Sequence, residues 1–127
     1  VAMRPGKPLM AGRMSARMGG AMMIGLPGNP VSAIVCGHVF VAPVLRAMQG
    51  LPANPAPLYS ARLSEPLAAN GTREHYLRGR VTPDGIFAAD RQDSSLLSVL
   101  SEANALILRE PDAPAAAIGD IVRYIPI

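Results

Sequence analysis

A turn rich in glycine and proline separates a short apolar run from a long one, and this arrangement limits the folds open to the chain. Residues 21–24 read Ala-Met-Met-Ile, as in a strand covered on both faces. The turn from Gly25 to Asn29 follows, and an apolar stretch then runs to about Met48. Asn29 is a favoured N-cap and Pro30 a favoured first helical residue. We therefore predict a strand–loop–helix unit, typical of an α/β domain.

The predicted helix is apolar around most of its circumference, which favours a buried position. Pro43 lacks a backbone N–H group and should kink the helix, and Gly50 should end it. The chain's one cysteine, Cys36, lies in this helix and is expected to be a small buried side chain. A single cysteine fits a reducing compartment such as the cytoplasm.

The chain changes character after a proline-rich stretch. Residues 51–57 read Leu-Pro-Ala-Asn-Pro-Ala-Pro, which predicts a stiff linker. Beyond it, alternating apolar and polar residues predict short strands, with a hairpin at Pro83-Asp84-Gly85 and helical turns within residues 94–102. We expect an α/β fold followed by an all-β fold: the end of an α/β domain in residues 1–50, and a small β-barrel in residues 58–127.

Positive charge is concentrated in the first half of the chain. Residues 1–64 contain six basic residues and no acidic residue, which favours anionic ligands. The basic residues are sparse and are not interleaved with aromatic ones, so we expect no nucleic-acid partner. No uninterrupted apolar run is long enough to predict a membrane span. Because the chain begins with Val1, we expect it to be part of a longer protein, and we identify no signal peptide.

Two loops carry the clearest chemistry; they read Arg-Pro-Gly-Lys-Pro over residues 4–8 and Gly-Leu-Pro-Gly-Asn-Pro-Val-Ser over residues 25–32. A helix N-terminus offers unpaired N–H groups and partial positive charge to an anion. Ser32 adds a hydroxyl group, and Arg4 and Lys7 add cations. These features predict binding of a small oxyanion or phosphate. The alternative is that the second loop only connects strand and helix, and that the cations are solvated.

No set of nucleophile, base and orienting group is evident, and neither histidine has metal-ligand spacing. His38 is expected to be structural. Salt bridges and helix capping would suffice to explain Arg73, Arg78 and Ser94. The residues therefore leave the catalytic groups unassigned and predict no metal ligand.

Four ordered motifs cover the chain; they read VAMRPGKP, GLPGNPVS, GTREHYLR and QDSSLLS and begin at residues 1, 25, 71 and 92. Together they resemble the molybdopterin molybdenumtransferases, the family of bacterial MoeA proteins and the gephyrin E domain. The resemblance implies the end of a molybdopterin-binding α/β domain followed by a C-terminal β-barrel. It also implies an enzyme of molybdenum cofactor biosynthesis, in which adenylylated molybdopterin reacts with molybdate and AMP is released, with assistance from Mg²⁺.

The resemblance also implies partners and limits. The implied partners are adenylylated molybdopterin, molybdate, molybdopterin adenylyltransferase and a second copy of the full-length protein in a homodimer. The ligands of Mg²⁺ and the dimer interface are expected in an N-terminal part outside this sequence, so we expect this portion alone to be inactive. A non-enzymatic oxyanion-binding module and a protein scaffold are the alternative functions.

The family's site residues carry over by motif. The residues that this assigns to substrate binding are Arg4, Lys7, Pro27, Gly28, Asn29, Pro30, Ser32, Arg73 and Ser94. Among them Arg4, Lys7 and Ser32 would bind molybdate, and Arg73 and Ser94 would close the site from the second domain. Pro27 and Pro30 would shape the cleft. Asp93 stands where the family frequently has glycine, and its carboxylate would oppose an oxyanion if it turned inward.

Overall fold

The computed structural model describes residues 1–52, 54–93 and 97–127. The strands are β1 (Met3–Arg4), β2 (Met10–Arg13), β3 (Met22–Gly25), β4 (Tyr59–Arg62), β5 (Glu74–Thr82), β6 (Gly85–Ala88), β7 (Ala105–Arg109) and β8 (Ile121–Pro126). The helical elements are a 3₁₀ turn (Ala16–Met18), α1 (Pro30–Cys36), a π-helical segment (Gly37–Val41), α2 (Ala42–Met48) and α3 (Leu97–Glu102). The described chain is thus a mixed sheet with few helices.

Six strands form the main sheet, in the order β1-β5-β7-β8-β4, with β6 paired to β5. The pairs are antiparallel except for β1 and β5, which run parallel with Met3 opposite Glu74. A bridge between Leu63 and Ile86 links the residue after β4 to β6 and so closes the path β6-β5-β7-β8-β4 on itself. The first loop therefore lies beside β5, because β1 leads directly into it.

The core lies on both faces of this sheet, as the alternation of side chains along a strand requires. One cluster comprises Met3, Val35, Cys36, Tyr76, Leu106 and Ile125. The other comprises Leu63, Leu67, Ile86, Ala105, Ile107 and Val122. The first cluster packs α1 against the face that carries Tyr76 of β5. The predicted hairpin is confirmed, since Thr82 pairs with Gly85 across the turn between β5 and β6.

The start of the predicted helix is confirmed at Asn29, whose Oδ1 accepts a hydrogen bond of 3.0 Å from the backbone N–H of Ser32. The π-helical segment lies immediately before Pro43, which occupies the first turn of α2. A widened turn there relieves the clash between the proline ring and the carbonyl four residues earlier. A π-helical segment thus lies where the kink at Pro43 was predicted, and the kink itself stays a prediction.

The expectation that this helix is largely buried is wrong. Buried residues are confined to α1, whereas Leu45 and Met48 of α2 are 52% and 75% exposed. The expectation of a doubly covered strand is also wrong, since β3 pairs with β2 alone among the described strands and Met22 is exposed. In both cases the sequence pattern is apolar, but the described residues provide no second layer over it.

The helical stretch over residues 30–48 is long and apolar enough to cross a membrane by length and composition. This corrects the expectation that the sequence holds no such run. The N-terminal part of the stretch packs against the sheet, as a core helix does. Length and composition alone do not indicate a membrane span.

Candidate oxyanion site

A cavity of about 540 Å³ lies between the first loop, the start of α1 and strand β5. Four of the predicted site residues line it, namely Arg4, Lys7, Ser32 and Arg73. They come from widely separated parts of the chain and meet because β1 pairs with β5 and the first loop packs on α1. The convergence of three cations and a hydroxyl group makes the cavity suited to an anion.

The turn that carries Lys7 is fixed by its contact with α1. Gly6 has a φ of +121°, and a Cβ atom there would lie 2.7 Å from the Sγ atom of Cys36. The backbone N–H of Leu9 donates a hydrogen bond of 3.0 Å to the Gly6 carbonyl, which closes the turn. Only glycine tolerates this φ together with so close an approach. Lys7 is therefore exposed at a rigid turn at the edge of the cavity.

Arg73 is held by a clamp on the backbone just before β5. The Nδ2 group of Asn70 donates to the carbonyls of Arg73 at 2.8 Å, Glu110 at 2.7 Å and Arg109 at 3.2 Å. The amide thereby ties the turn to the end of β7. The register of β1 against β5 sets Met3 opposite Glu74, the residue after Arg73.

Sequence reasoning missed His75 as a cavity residue. Burial, reinforced by the nearby charges of Arg4 and Arg78, lowers the pKa of His75 from 6.5 to about 4. The imidazole is therefore neutral at pH 7, so it can hydrogen-bond to a ligand without adding charge. The sequence of β5 does not indicate the burial of His75, because this burial depends on the pairing of β1 with β5.

Sequence reasoning also missed Gln92, whose side-chain amide forms hydrogen bonds with the backbone of β5, as a neighbouring strand would. Its Oε1 accepts from the backbone N–H of Arg78 at 2.9 Å, and its Nε2 donates to the carbonyls of Arg78 and Ala89 at 2.8 Å each. The fourth motif begins at Gln92, but only the structure reveals that its side chain fixes the loop to β5. Gln92 therefore positions both Arg78 and the following residue, Asp93, at the cavity.

Arg78 and Asp93 are the remaining charged residues among the described residues that line the cavity. Arg78 is 1% exposed, and burial lowers its pKa, an effect that Asp93 opposes and Arg4 reinforces. Asp93 also lines the cavity and is exposed, and its negative charge acts on Arg78. Among the described lining residues, four cations thus surround one carboxylate.

The second loop contributes less directly than the sequence suggested. Ser32 lines the cavity, but Pro27, Gly28, Asn29 and Pro30 are not among its lining residues. The Asn29 side chain already accepts from the Ser32 N–H group, which occupies one of the donors expected for the anion. The assignment of these four residues to substrate binding stays a prediction. Ser94 lies outside the described residues.

The described residues offer no fitting set of ligands for Mg²⁺, since no group of three or more His, Cys, Asp and Glu side chains is gathered among them. Four cations around a single carboxylate also disfavour a divalent cation in the cavity. Cys36 is fully buried, and burial raises the pKa of its thiol, which confirms its expected character as a small buried side chain.

Comparison with known proteins identifies similar sequences. The family of the MoeA C-terminal region, domain IV, matches residues 60–127. Molybdopterin molybdenumtransferase 1 of Mycobacterium tuberculosis strain H37Rv is 33% identical over 131 residues, covering 96% of this chain and 30% of the relative. Molybdopterin molybdenumtransferase of Nostoc sp. is 35% identical over 112 residues, covering 84% of this chain and 26% of the relative. The chain thus spans about 30% of the length of these curated relatives.

Two solved structures have the same fold. A molybdenum cofactor biosynthesis protein from Pyrococcus furiosus matches all of this chain and 44% of its own, with a TM-score of 0.78 and 19% identity. The molybdopterin biosynthesis moeA protein from Pyrococcus horikoshii OT3 matches all of this chain and 31% of its own, with a TM-score of 0.78 and 20% identity. At such identities these matches establish the fold alone.

Proposed function

Because the chain belongs to the MoeA family, we propose that it forms part of a molybdopterin molybdenumtransferase and binds molybdate in the cavity described above. The observation that carries the proposal is the convergence of Arg4, Lys7, Ser32 and Arg73 on one cavity. The relatives named for this activity are about three to four times as long as the matched region. The activity is therefore proposed for a longer protein that contains this chain.

The arrangement of the cations supports binding of a doubly charged tetrahedral anion. Each arginine can donate two parallel hydrogen bonds to a pair of oxygens, whereas Lys7 acts as a point charge. Cations gathered at ~4 Å in a partly solvated site repel one another by a few kcal/mol, and a bound dianion relieves this repulsion. The neutral imidazole of His75 adds a hydrogen-bonding group without adding to the repulsion.

Family membership, and for the compartment the single cysteine, support the finer parts of the proposal. The reaction is insertion of molybdate-derived molybdenum into adenylylated molybdopterin with release of AMP, in a homodimeric cytoplasmic protein that receives its substrate from molybdopterin adenylyltransferase. The domain division is the end of an α/β domain, a linker and a small β-barrel. The bridge between Leu63 and Ile86, which links the residue after β4 to β6, supports the barrel. Residues outside the described part of this chain would supply any Mg²⁺ ligands.

Titration with molybdate tests the binding step. Binding should weaken at least about tenfold in Lys7→Ala and in Arg73→Ala, because each loses a charge-assisted hydrogen bond of about 1.5–3 kcal/mol. The matched controls are Arg13→Ala and Arg17→Ala, which remove equal charge outside the cavity. If all four variants bind alike, the net charge rather than the cavity attracts the anion, and the proposal fails.

The alternative of a non-enzymatic oxyanion-binding module predicts the same titration but a different second result. The longer protein would bind molybdate and insert no molybdenum into adenylylated molybdopterin. A protein scaffold would bind neither oxyanion nor pterin at this cavity. The molybdate titration and the activity of the longer protein together separate the three functions.

A further inference from the structure

Arg78 is buried with part of its guanidinium unsatisfied. Its side chain is 1% exposed, and its Nε and Nη2 atoms have no hydrogen-bond partner among the residues that the structure describes. A buried cation with unpaired donors is costly to the fold. A site that retains such a group therefore needs an explanation other than stability.

The position of Arg78 is nevertheless well fixed. Gln92 holds its backbone through hydrogen bonds to both the N–H group and the carbonyl, at 2.9 Å and 2.8 Å. Arg78 lines the same cavity as Arg4 and Arg73, and its unpaired nitrogens are buried behind that lining. A fixed backbone and unpaired donors on a residue of the cavity lining are the arrangement expected of a preorganised ligand-binding group.

Arg109 provides a contrast within the same sheet. It is also buried, but its Nη2 group donates to the carbonyls of Ala68 and Pro114, which ties β7 to the loops beside it. Of its guanidinium nitrogens, Nε alone is recorded as unpartnered in the described chain. Arg109 is therefore a structural arginine that lies outside the cavity, whereas Arg78 belongs to the cavity lining and two of its three guanidinium nitrogens are unpaired among the described residues.

We propose that Arg78 is a ligand-binding residue whose Nε–H and Nη2–H groups donate side by side to two oxygens of a tetrahedral oxyanion in the cavity. These two nitrogens lie on one edge of the planar guanidinium, which is the edge that matches a pair of oxygens. The inference rests on the proposed function and deepens it, since neither the motifs nor the family match assigned Arg78 to the site. The oxyanion is either the metal oxyanion or a phosphate group of a substrate, which share this geometry.

The proposal predicts that replacing Arg78 changes the stability of the fold and the affinity for an oxyanion in opposite directions. Arg78→Met keeps most of the side-chain volume and removes the buried charge, so the variant should unfold at a higher temperature than the wild-type chain. Its affinity for an oxyanion should fall at least about tenfold. Arg78→Lys keeps the charge without the two-pronged edge and should recover only part of the affinity. The control Arg109→Met should unfold at a lower temperature, because it breaks hydrogen bonds to two carbonyls.

The experiment measures melting temperature without ligand and titrates each variant with molybdate and, separately, with inorganic phosphate. A higher melting temperature of Arg78→Met with a loss of molybdate affinity supports the proposal and identifies the metal oxyanion. The same rise in melting temperature with a loss of phosphate affinity alone supports the proposal and identifies a phosphate group as the ligand. If wild-type protein binds molybdate and Arg78→Met binds both anions equally well, or melts lower, the assignment of Arg78 is overturned and the proposed function stands. If wild-type protein binds neither anion, both fail.

Discussion

Arg4 and His75 are register partners on the parallel strands β1 and β5, and both line the same cavity. The pairing places a permanent cation beside an imidazole that is already partly removed from water. Burial and the charges of Arg4 and Arg78 together keep His75 neutral in the folded protein. A strand contact between distant parts of the chain thus sets the ionisation of a site residue.

The first prediction is that His75 makes the fold sensitive to acid. Its pKa is 6.5 in the unfolded chain and about 4 in the fold, so the unfolded chain takes up a proton first as the pH falls. Stability is lost from pH 6.5 downward until the folded pKa is reached. The loss is about 1–2 kcal/mol, since the imidazole is only partly buried and solvent screens its neighbours.

Urea unfolding of the wild-type protein and of His75→Asn between pH 4 and pH 7 measures this loss. The wild-type protein should lose unfolding free energy relative to His75→Asn as the pH falls across that range. A constant difference between the wild-type protein and His75→Asn would show that His75 titrates normally in the fold.

The second prediction concerns the turn that carries Lys7. Gly6→Ala should lower the free energy of unfolding by about 1–3 kcal/mol, because its φ of +121° is strained for alanine and its Cβ would meet the Sγ atom of Cys36. Molybdate affinity should fall as well, since the turn must move away from α1. Gly12→Ala is the control, as a Cβ there meets no atom within 4 Å. Equal stability of the two variants in denaturant unfolding would contradict the docking of this turn on α1.

The third prediction concerns the carboxylate in the cavity. Asp93→Asn should bind molybdate about three- to tenfold more tightly, because it removes a negative charge from the oxyanion's surroundings at nearly constant shape. Asp90→Asn removes the same charge outside this cavity and should bind as the wild-type protein does. Isothermal titration at constant ionic strength measures both. Weaker binding by Asp93→Asn would mean that Asp93 serves the site by supporting Arg78 rather than opposing the ligand.

Local patterns predicted much of the fold. Asn29 caps α1, and the turn at Pro83-Asp84 joins β5 to β6, because both depend on residues a few positions apart. The burial of α2 was predicted wrongly, since a helix's apolar character does not say which of its faces a neighbour covers. The parallel pairing of β1 with β5 joins residues about seventy positions apart, and no local pattern reveals it.

The site was predicted in part for the same reasons. The two loops and the family resemblance predicted a set of site residues that the structure gathers in one cavity, namely Arg4, Lys7, Ser32 and Arg73. Arg78 was missed because an arginine on an alternating strand is typical of a solvated face. Its burial and its unsatisfied nitrogens appear only when the strands are assembled.

Molybdenum insertion by the longer protein is the most direct test of the account. At limiting molybdate, Lys7→Ala and Arg73→Ala should each lower the rate of insertion into adenylylated molybdopterin at least about tenfold, with partial recovery as molybdate is raised. Arg13→Ala and Arg17→Ala should retain the wild-type rate. Wild-type rates in Lys7→Ala and Arg73→Ala at limiting molybdate would contradict the account, because the cavity would then not be where the oxyanion reacts.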